Sequence, residues 1–370
     1  MKTLAFFLDT FEEGSAAQQV LDRLLFGWPE KGSIASAPWD HIRVPQQALN
    51  PAMEKRLQAS SKLQLSKDAK EATQGIDAWI IAPGRPESWK THLAEDWYEC
   101  LSNSPARGWV IGIPPLSWCQ GEASISPSFQ AGTPMPYTWR LPEVDIPWQC
   151  PLSEMMLLVR GAYPEAETHG IDALLGLTSH RQGGESGIQH IRLLRGDAVW
   201  KGAREGLFSW DLFKAAVSRT HSKQGDATVD GRTQDIVGLG MVPDLARDTR
   251  AWIIQHVDGL QSVLLTVDGI LQDETFAAKS KDGRLYSAQI YQPPKPNDHR
   301  YSRLTTAITQ YLEHGKSTMP LERHLLWGEL LECMDAMMSE DILVQAWDRT
   351  RMPFGVNRSP WSPEGIASKP

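Results

Sequence analysis

Strand-sized apolar runs alternate with helix-sized amphipathic segments over the first 120 residues, and this alternation limits the fold more than any other feature of the chain. Residues 3–9 are a short apolar run. Residues 15–25 place Ala16, Val20, Leu21, Leu24 and Leu25 at helical spacing. Residues 41–44, 76–82 and 108–113 read as further strands, and 51–63, 67–73 and 87–101 as helices. The pattern predicts a parallel sheet covered by helices. After about residue 125 it changes. Residues 154–160, 187–195, 251–258, 261–267 and 287–292 read as strands, and Asp268-Gly269 and Asp282-Gly283 supply turn chemistry. This predicts a second, α+β domain with a mostly antiparallel sheet. Two amphipathic helices follow: one aligns Leu304, Ile308, Tyr311 and Leu312, the other Leu326, Leu330, Cys333 and Met337.

A chain of 370 residues is long enough for two domains. Its net charge of −8, with no basic tract, argues against nucleic acid as a partner. No apolar run reaches the length of a membrane span, and the N-terminal run ends in acids, so no membrane association and a cytoplasmic location are expected. Cys100, Cys119, Cys150 and Cys333 form no C-x-x-C pair and read as reduced thiols.

The segment Glu165-Ala166-Glu167-Thr168-His169-Gly170-Ile171-Asp172 sets a histidine among acids. On a helix, Glu165 and Asp172 lie one turn before and after His169 on neighbouring positions of one face. A carboxylate beside an imidazole fixes its tautomer and raises its pKa, which suits proton transfer. His169 is therefore the candidate acid or base, with Glu165, Glu167 or Asp172 orienting it. The alternative is a partly buried histidine ringed by surface acids.

Other residues are candidates for holding substrate. Trp139-Arg140 could stack on a sugar face and clamp a carboxylate or hydroxyl, or Arg140 could pair with Glu143 or Asp145. Arg181-Gln182-Gly183-Gly184-Glu185 is a tight turn whose charges, Arg181 and Glu185, could reach a ligand. His256 and Asp258 share one face of a strand, but no third residue at useful spacing makes them a metal site, and no metal is expected. His221 sits in a polar loop and reads as exposed.

The segments EAETHGIDALLGL and RLTTAITQYLEHGKSTMPLERHLLWGELLECMDAMMSE resemble the active-site helix and the C-terminal helix–loop–helix of the Gfo/Idh/MocA oxidoreductases. AGTPMPYTWRLPEVD, SHRQGGESGI and HVDGLQSVLLTVDGILQDETFAA are similar to an uncharacterised bacterial subgroup grouped with them. The resemblance implies a Rossmann-like domain over residues 1–121, an open-sheet C-terminal domain over 122–350 and a Pro-rich tail over 351–370. It also implies NAD or NADP as cofactor, a sugar or polyol derivative as ligand, and a homo-oligomer formed through the C-terminal sheet.

The chain departs from the family where the cofactor would be held. The first turn, Asp9-Thr10-Phe11-Glu12-Glu13-Gly14-Ser15, has one glycine and three acids, which disfavour a pyrophosphate. The second strand ends in Val44-Pro45-Gln46-Gln47, with no acid for the ribose. Ile113-Pro114-Pro115-Leu116-Ser117 stands where the family has its lysine. Weak or absent nicotinamide binding is therefore expected. Three readings remain open: a sugar or polyol oxidoreductase with a degenerate nicotinamide site, a cofactor-independent lyase, epimerase or hydrolase, and a non-catalytic binding or scaffold protein.

Overall fold

The structure is a computed structural model that describes residues 1–85, 95–102, 104–112, 129–220, 228–229, 232–233, 236–293, 299–315, 319–347, 349 and 353–355. In chain order the first elements are β1 (Thr3–Phe7), α1 (Ala16–Phe26), β2 (Trp28–Glu30), β3 (Ser33–Ala35), β4 (His41–Pro45), α2 (Pro51–Ala59), β5 (Leu63–Ser66) and α3 (Ala69–Thr73). β6 (Ala78–Ile81), α4 (Glu95–Ser102), β7 (Arg107–Ile111) and β8 (Phe129–Gly132) follow. The middle of the chain supplies β9 (Trp139–Leu141), β10 (Leu152–Val159), α5 (Glu165–Thr178), β11 (Ile188–Arg195), α6 (Asp197–Arg204) and α7 (Trp210–Val217). Then come β12 (Thr228–Val229), β13 (Arg232–Thr233), α8 (Val242–Leu245), β14 (Arg247–His256), β15 (Gln261–Asp268), β16 (Glu274–Ser280) and β17 (Leu285–Tyr291). The last are α9 (Arg300–His314), α10 (Leu321–Ser339) and β18 (Val344–Ala346).

Contacts divide the chain into two units, 1–138 with 293–328, and 139–292 with 329–370. The first unit therefore extends beyond the 1–121 range read from the sequence and recruits α9, which packs on α1, β2 and β7. Its sheet has the order β5-β4-β1-β6-β7-β8, with parallel pairing throughout. All five residues of β1 are buried, as expected of a central strand covered on both faces. The strand order reverses between β1 and β6, the position at which open α/β sheets bind ligands. β5 was not expected, because Leu63 reads as the end of a helix. The chain instead leaves α2 at Ser60 and buries Leu63 in the sheet.

The second unit has an eight-stranded sheet in the order β18-β11-β14-β15-β10-β16-β17-β9. Its pairs are antiparallel except β10 with β15. The pleat sends Met156, Leu158, Ile253, Val263 and Leu265 into one core with α6 and α7. α5 packs on β10 and β15. There Gly170 lets the helix close on the sheet, since a Cβ would lie 2.5 Å from the Leu264 side chain. α6 and β16 escaped the sequence reading. β16 is ETFAAKS, rich in alanine and poor in β-branched residues, and its strand form comes from pairing on both sides.

Candidate functional site

α5 runs unbroken over the acid–histidine segment, with Glu165 and Glu167 in its first turn, where the helix dipole favours negative charge. Glu165 is exposed, His169 half-buried and Asp172 buried. Glu167 behaves differently. Its fully buried Oε1 accepts from Arg250 Nε at 2.7 Å, Thr266 Oγ1 at 3.3 Å and Trp252 Nε1 at 3.4 Å. At about 100° per residue, His169 lies roughly 200° round the helix from Glu167 and so faces away from this cluster. Glu167 thus fixes the helix to the sheet, while Glu165 and Asp172 share the histidine's side. Arg250 also stacks over Tyr163, 6.0 Å from the ring centroid, and the Tyr163 hydroxyl donates to Asp335. Burial, then the Asp335 carboxylate, raises the Tyr163 pKa. The sequence reading missed Arg250. The available signal was one charge inside the apolar strand Arg250-Ala251-Trp252-Ile253-Ile254.

Arg181, Glu185 and His256 do come together, in a buried network. Arg181 donates to both Glu185 oxygens at 3.1 Å and to Asp258 at 2.7 Å. His256 stands between Glu185, 2.9 Å from Nδ1, and Ser262, 2.8 Å from Nε2. Burial alone would raise the Glu185 carboxyl, but His256 and Arg181 outweigh it and hold it at about 2. The order serine–histidine–acid is that of a hydrolase triad. Here Ser262 is 0 %, His256 1 % and Glu185 1 % exposed, so the hydroxyl cannot meet a substrate, and the network joins the turn after α5 to the β14–β15 hairpin.

Arg140 is buried beside Asp145, at 4.0 Å, and burial lowers its pKa. Trp139 lies half-buried at the sheet edge, in register with Tyr291. A cavity of about 370 Å³ in the second unit is lined by Arg195, Asp197, Trp200, Asp248, Arg250 and Met338, among others. Both of its arginines are committed, Arg250 to Glu167 and Arg195 to Asp341. No group of three or more His, Cys, Asp or Glu residues fit to hold a metal occurs among the described residues. No helix among them is long and apolar enough to cross a membrane. His221 and residues 113–117 lie outside the described residues.

In the first unit, the β1–α1 loop meets the loop after β6 at the reversal of strand order. The amides that would cradle a pyrophosphate are engaged by the chain itself. Ala17 N donates to Pro83 O at 3.1 Å, Glu12 N to Gly84 O at 2.9 Å and Gln18 N to Ser15 Oγ at 3.1 Å. Asp9 Oδ1 accepts from Thr10 N at 2.9 Å and Gly84 N at 3.3 Å. The two loops touch so closely that a Cβ on Gly84 would stand 1.5 Å from Thr10 O. Phe11 is buried, with the Arg56 guanidinium 5.1 Å from its ring centroid and Asn50 Nδ2 donating to its carbonyl at 2.6 Å. The residues present here do not fit a dinucleotide.

No protein-family model matches the chain, and no curated protein is similar to it in sequence. Solved structures do share its fold. Myo-inositol dehydrogenase from Lactobacillus casei, solved in complex with NAD(H) and myo-inositol, aligns with a TM-score of 0.55 over 95% of this chain and 99% of its own, at 10% identity. Myo-inositol 2-dehydrogenase from Lactobacillus plantarum gives 0.55 over 94% and 99%, at 9% identity. A protein of gentamicin A biosynthesis, solved in complex with NAD, gives 0.56 over 94% and 97%, at 10% identity. The likeness spans nearly all of each chain and shows the fold. The chain shares the fold of these dehydrogenases, a Rossmann-like parallel-sheet unit joined to a mostly antiparallel one.

Proposed function

We propose that the chain acts on a sugar or polyol derivative, with His169 as the acid or base that moves a proton on the ligand. The observation that carries this reading is the two-sidedness of α5. Its sheet side is anchored by Glu167, Arg250 and Gly170, and its other side presents His169 half-buried with Glu165 and Asp172 one turn away. A rigid support on one side and a titratable group among carboxylates on the other is how proton-transfer groups are positioned. The shared fold supports the ligand class, since two of the aligned structures are inositol dehydrogenases. Glu165 and Asp172 would orient the imidazole. Trp139 and Arg140 would border the ligand.

The test is a thermal-shift and isothermal-titration panel of inositols, keto-inositols, uronates and ketoses against the wild-type chain and His169→Ala. The reading expects saturable binding of at least one compound and a loss of about 1–3 kcal/mol in the variant, the range for a hydrogen bond to a charged group. Binding that is identical in the two proteins would remove His169 from the site. Failure of every compound to bind would remove the ligand class.

A further inference from the structure

We infer that the strand-order reversal of the first unit is closed to dinucleotides by the chain's own backbone, and that any reaction at His169 leaves its substrate at the same oxidation level. The second half of this rests on the acid–base reading of His169; the first half stands without it. In an open α/β sheet a dinucleotide lies across the reversal, its pyrophosphate on the amides of the first helix. Between β1 and β6 that space is filled. The carbonyls of Pro83 and Gly84 accept the Ala17 and Glu12 amides, and Ser15 Oγ accepts that of Gln18. Gly84 is buried against Thr10 with no room for one carbon. Opening the crevice would break these bonds together and expose Phe11, which Asn50 and Arg56 hold in place.

The acids of the turn are a separate obstacle. Glu12 and Glu13 are exposed at its rim and would repel phosphate, but charge alone can be screened or removed. The backbone closure cannot. This distinguishes a weakened cofactor site from one that has been closed.

Without a nicotinamide in the first unit, a hydride leaving a polyol carbon has no acceptor there. On a carbonyl-bearing sugar, the redox-neutral step that suits a single imidazole is removal of a proton from the carbon next to the carbonyl. The C–H electron pair moves into the new C=C bond as the carbonyl oxygen becomes an enolate, and His169 takes the proton. Where the deprotonated carbon carries a hydroxyl, the hydroxyl proton passes to the enolate oxygen, and returning the carbon-bound proton to the former carbonyl carbon isomerises the sugar. Alternatively a β C–O bond breaks, and the departing hydroxide takes the proton and leaves as water. Both outcomes balance without an oxidant or reductant. The substrate class narrows accordingly to carbonyl-bearing sugars: keto-inositols, ketoses or uronates.

The test has two arms on the full chain. In the first, NADH and NADPH are titrated by nicotinamide fluorescence and NAD by calorimetry, against wild type and Glu12→Gln/Glu13→Gln. No saturable binding is expected up to about 1 mM in either protein. Binding by wild type below about 100 μM would overturn the closure. Binding gained only by the double variant would overturn it too, because charge and not backbone would then be the barrier. In the second arm, nucleotide-free protein is incubated in deuterium oxide with a keto-inositol, a ketose and a uronate. Deuterium at the carbon next to the carbonyl, lost in His169→Ala, is the expected result. Absence of both nucleotide binding and exchange would leave the closure standing and end the acid–base reading. Exchange that needs added nucleotide would overturn the inference.

Discussion

The β1–α1 loop of the first unit and helix α5 of the second have met opposite fates on one fold. At the loop, the α1 amides of Ala17 and Gln18 are given to Pro83 and Ser15, and the Glu12 amide ahead of the helix is given to Gly84. At α5, a buried glutamate holds one side of the helix, and a half-buried histidine lies on the other with Glu165 and Asp172 one turn away. The difference lies in how each helix meets its sheet: α1 through backbone contacts with the neighbouring loop, α5 through a buried side chain that reaches across to β14 and β15.

The largest effect expected from breaking this comparison is at the histidine. His169→Ala should lower solvent-deuterium incorporation into a responsive sugar by about 10²–10⁴-fold, the usual weight of a general acid or base. The melting temperature should move little, since the side chain is only half-buried. Proton NMR and differential scanning fluorimetry on the same samples check both. Unfolding of the variant would move His169 from the site to the core.

Next comes the support of α5. Glu167→Ala leaves the Arg250 guanidinium, 8 % exposed, without its carboxylate, and should destabilise the second unit by about 3–5 kcal/mol. Denaturant unfolding of the two proteins followed by far-ultraviolet circular dichroism reads this. A change under about 1 kcal/mol would mean that Arg250 finds another partner.

A pH effect follows from Glu185. Its folded pKa, held at about 2 against an ordinary 4.5, means that its contribution to stability is complete above pH 4.5 and is lost as pH falls toward 2. The loss amounts to about 3 kcal/mol. Glu185→Gln should be less stable than wild type at neutral pH, and the gap should narrow in acid. A constant gap from about pH 6 to about pH 3 would show that Glu185 is not held low. Gly84→Ala would drive a carbon into the Thr10 carbonyl and force the two loops apart, with faster amide exchange at Glu12 and Ala17 and a loss of at least about 1–3 kcal/mol.

Local signals were legible in the sequence. The helical spacing of Ala16, Val20, Leu21, Leu24 and Leu25 predicted α1, and the spacing of Glu165, His169 and Asp172 predicted a helix that forms. What was not legible depends on distant residues. α9 joins the first unit because it packs on α1 and β7, nearly 200 residues or more earlier in the chain. The pairing of Glu167 with Arg250 bridges 83 positions, and no local pattern reports it. The same holds for the closure of the crevice. Pro83-Gly84 reads as an ordinary turn, and only the parallel pairing of β1 with β6 brings its carbonyls to the amides of Ala17 in α1 and Glu12 in the loop before it.

The closed crevice is the central claim, and hydrogen exchange resolved to single amides tests it most directly. In nucleotide-free protein the amides of Glu12, Ala17 and Gly84 should exchange slowly, because each is bonded within the chain, and saturating NADH should leave their rates unchanged. Fast exchange at these amides in the free protein, or slowing of them by NADH, would contradict it.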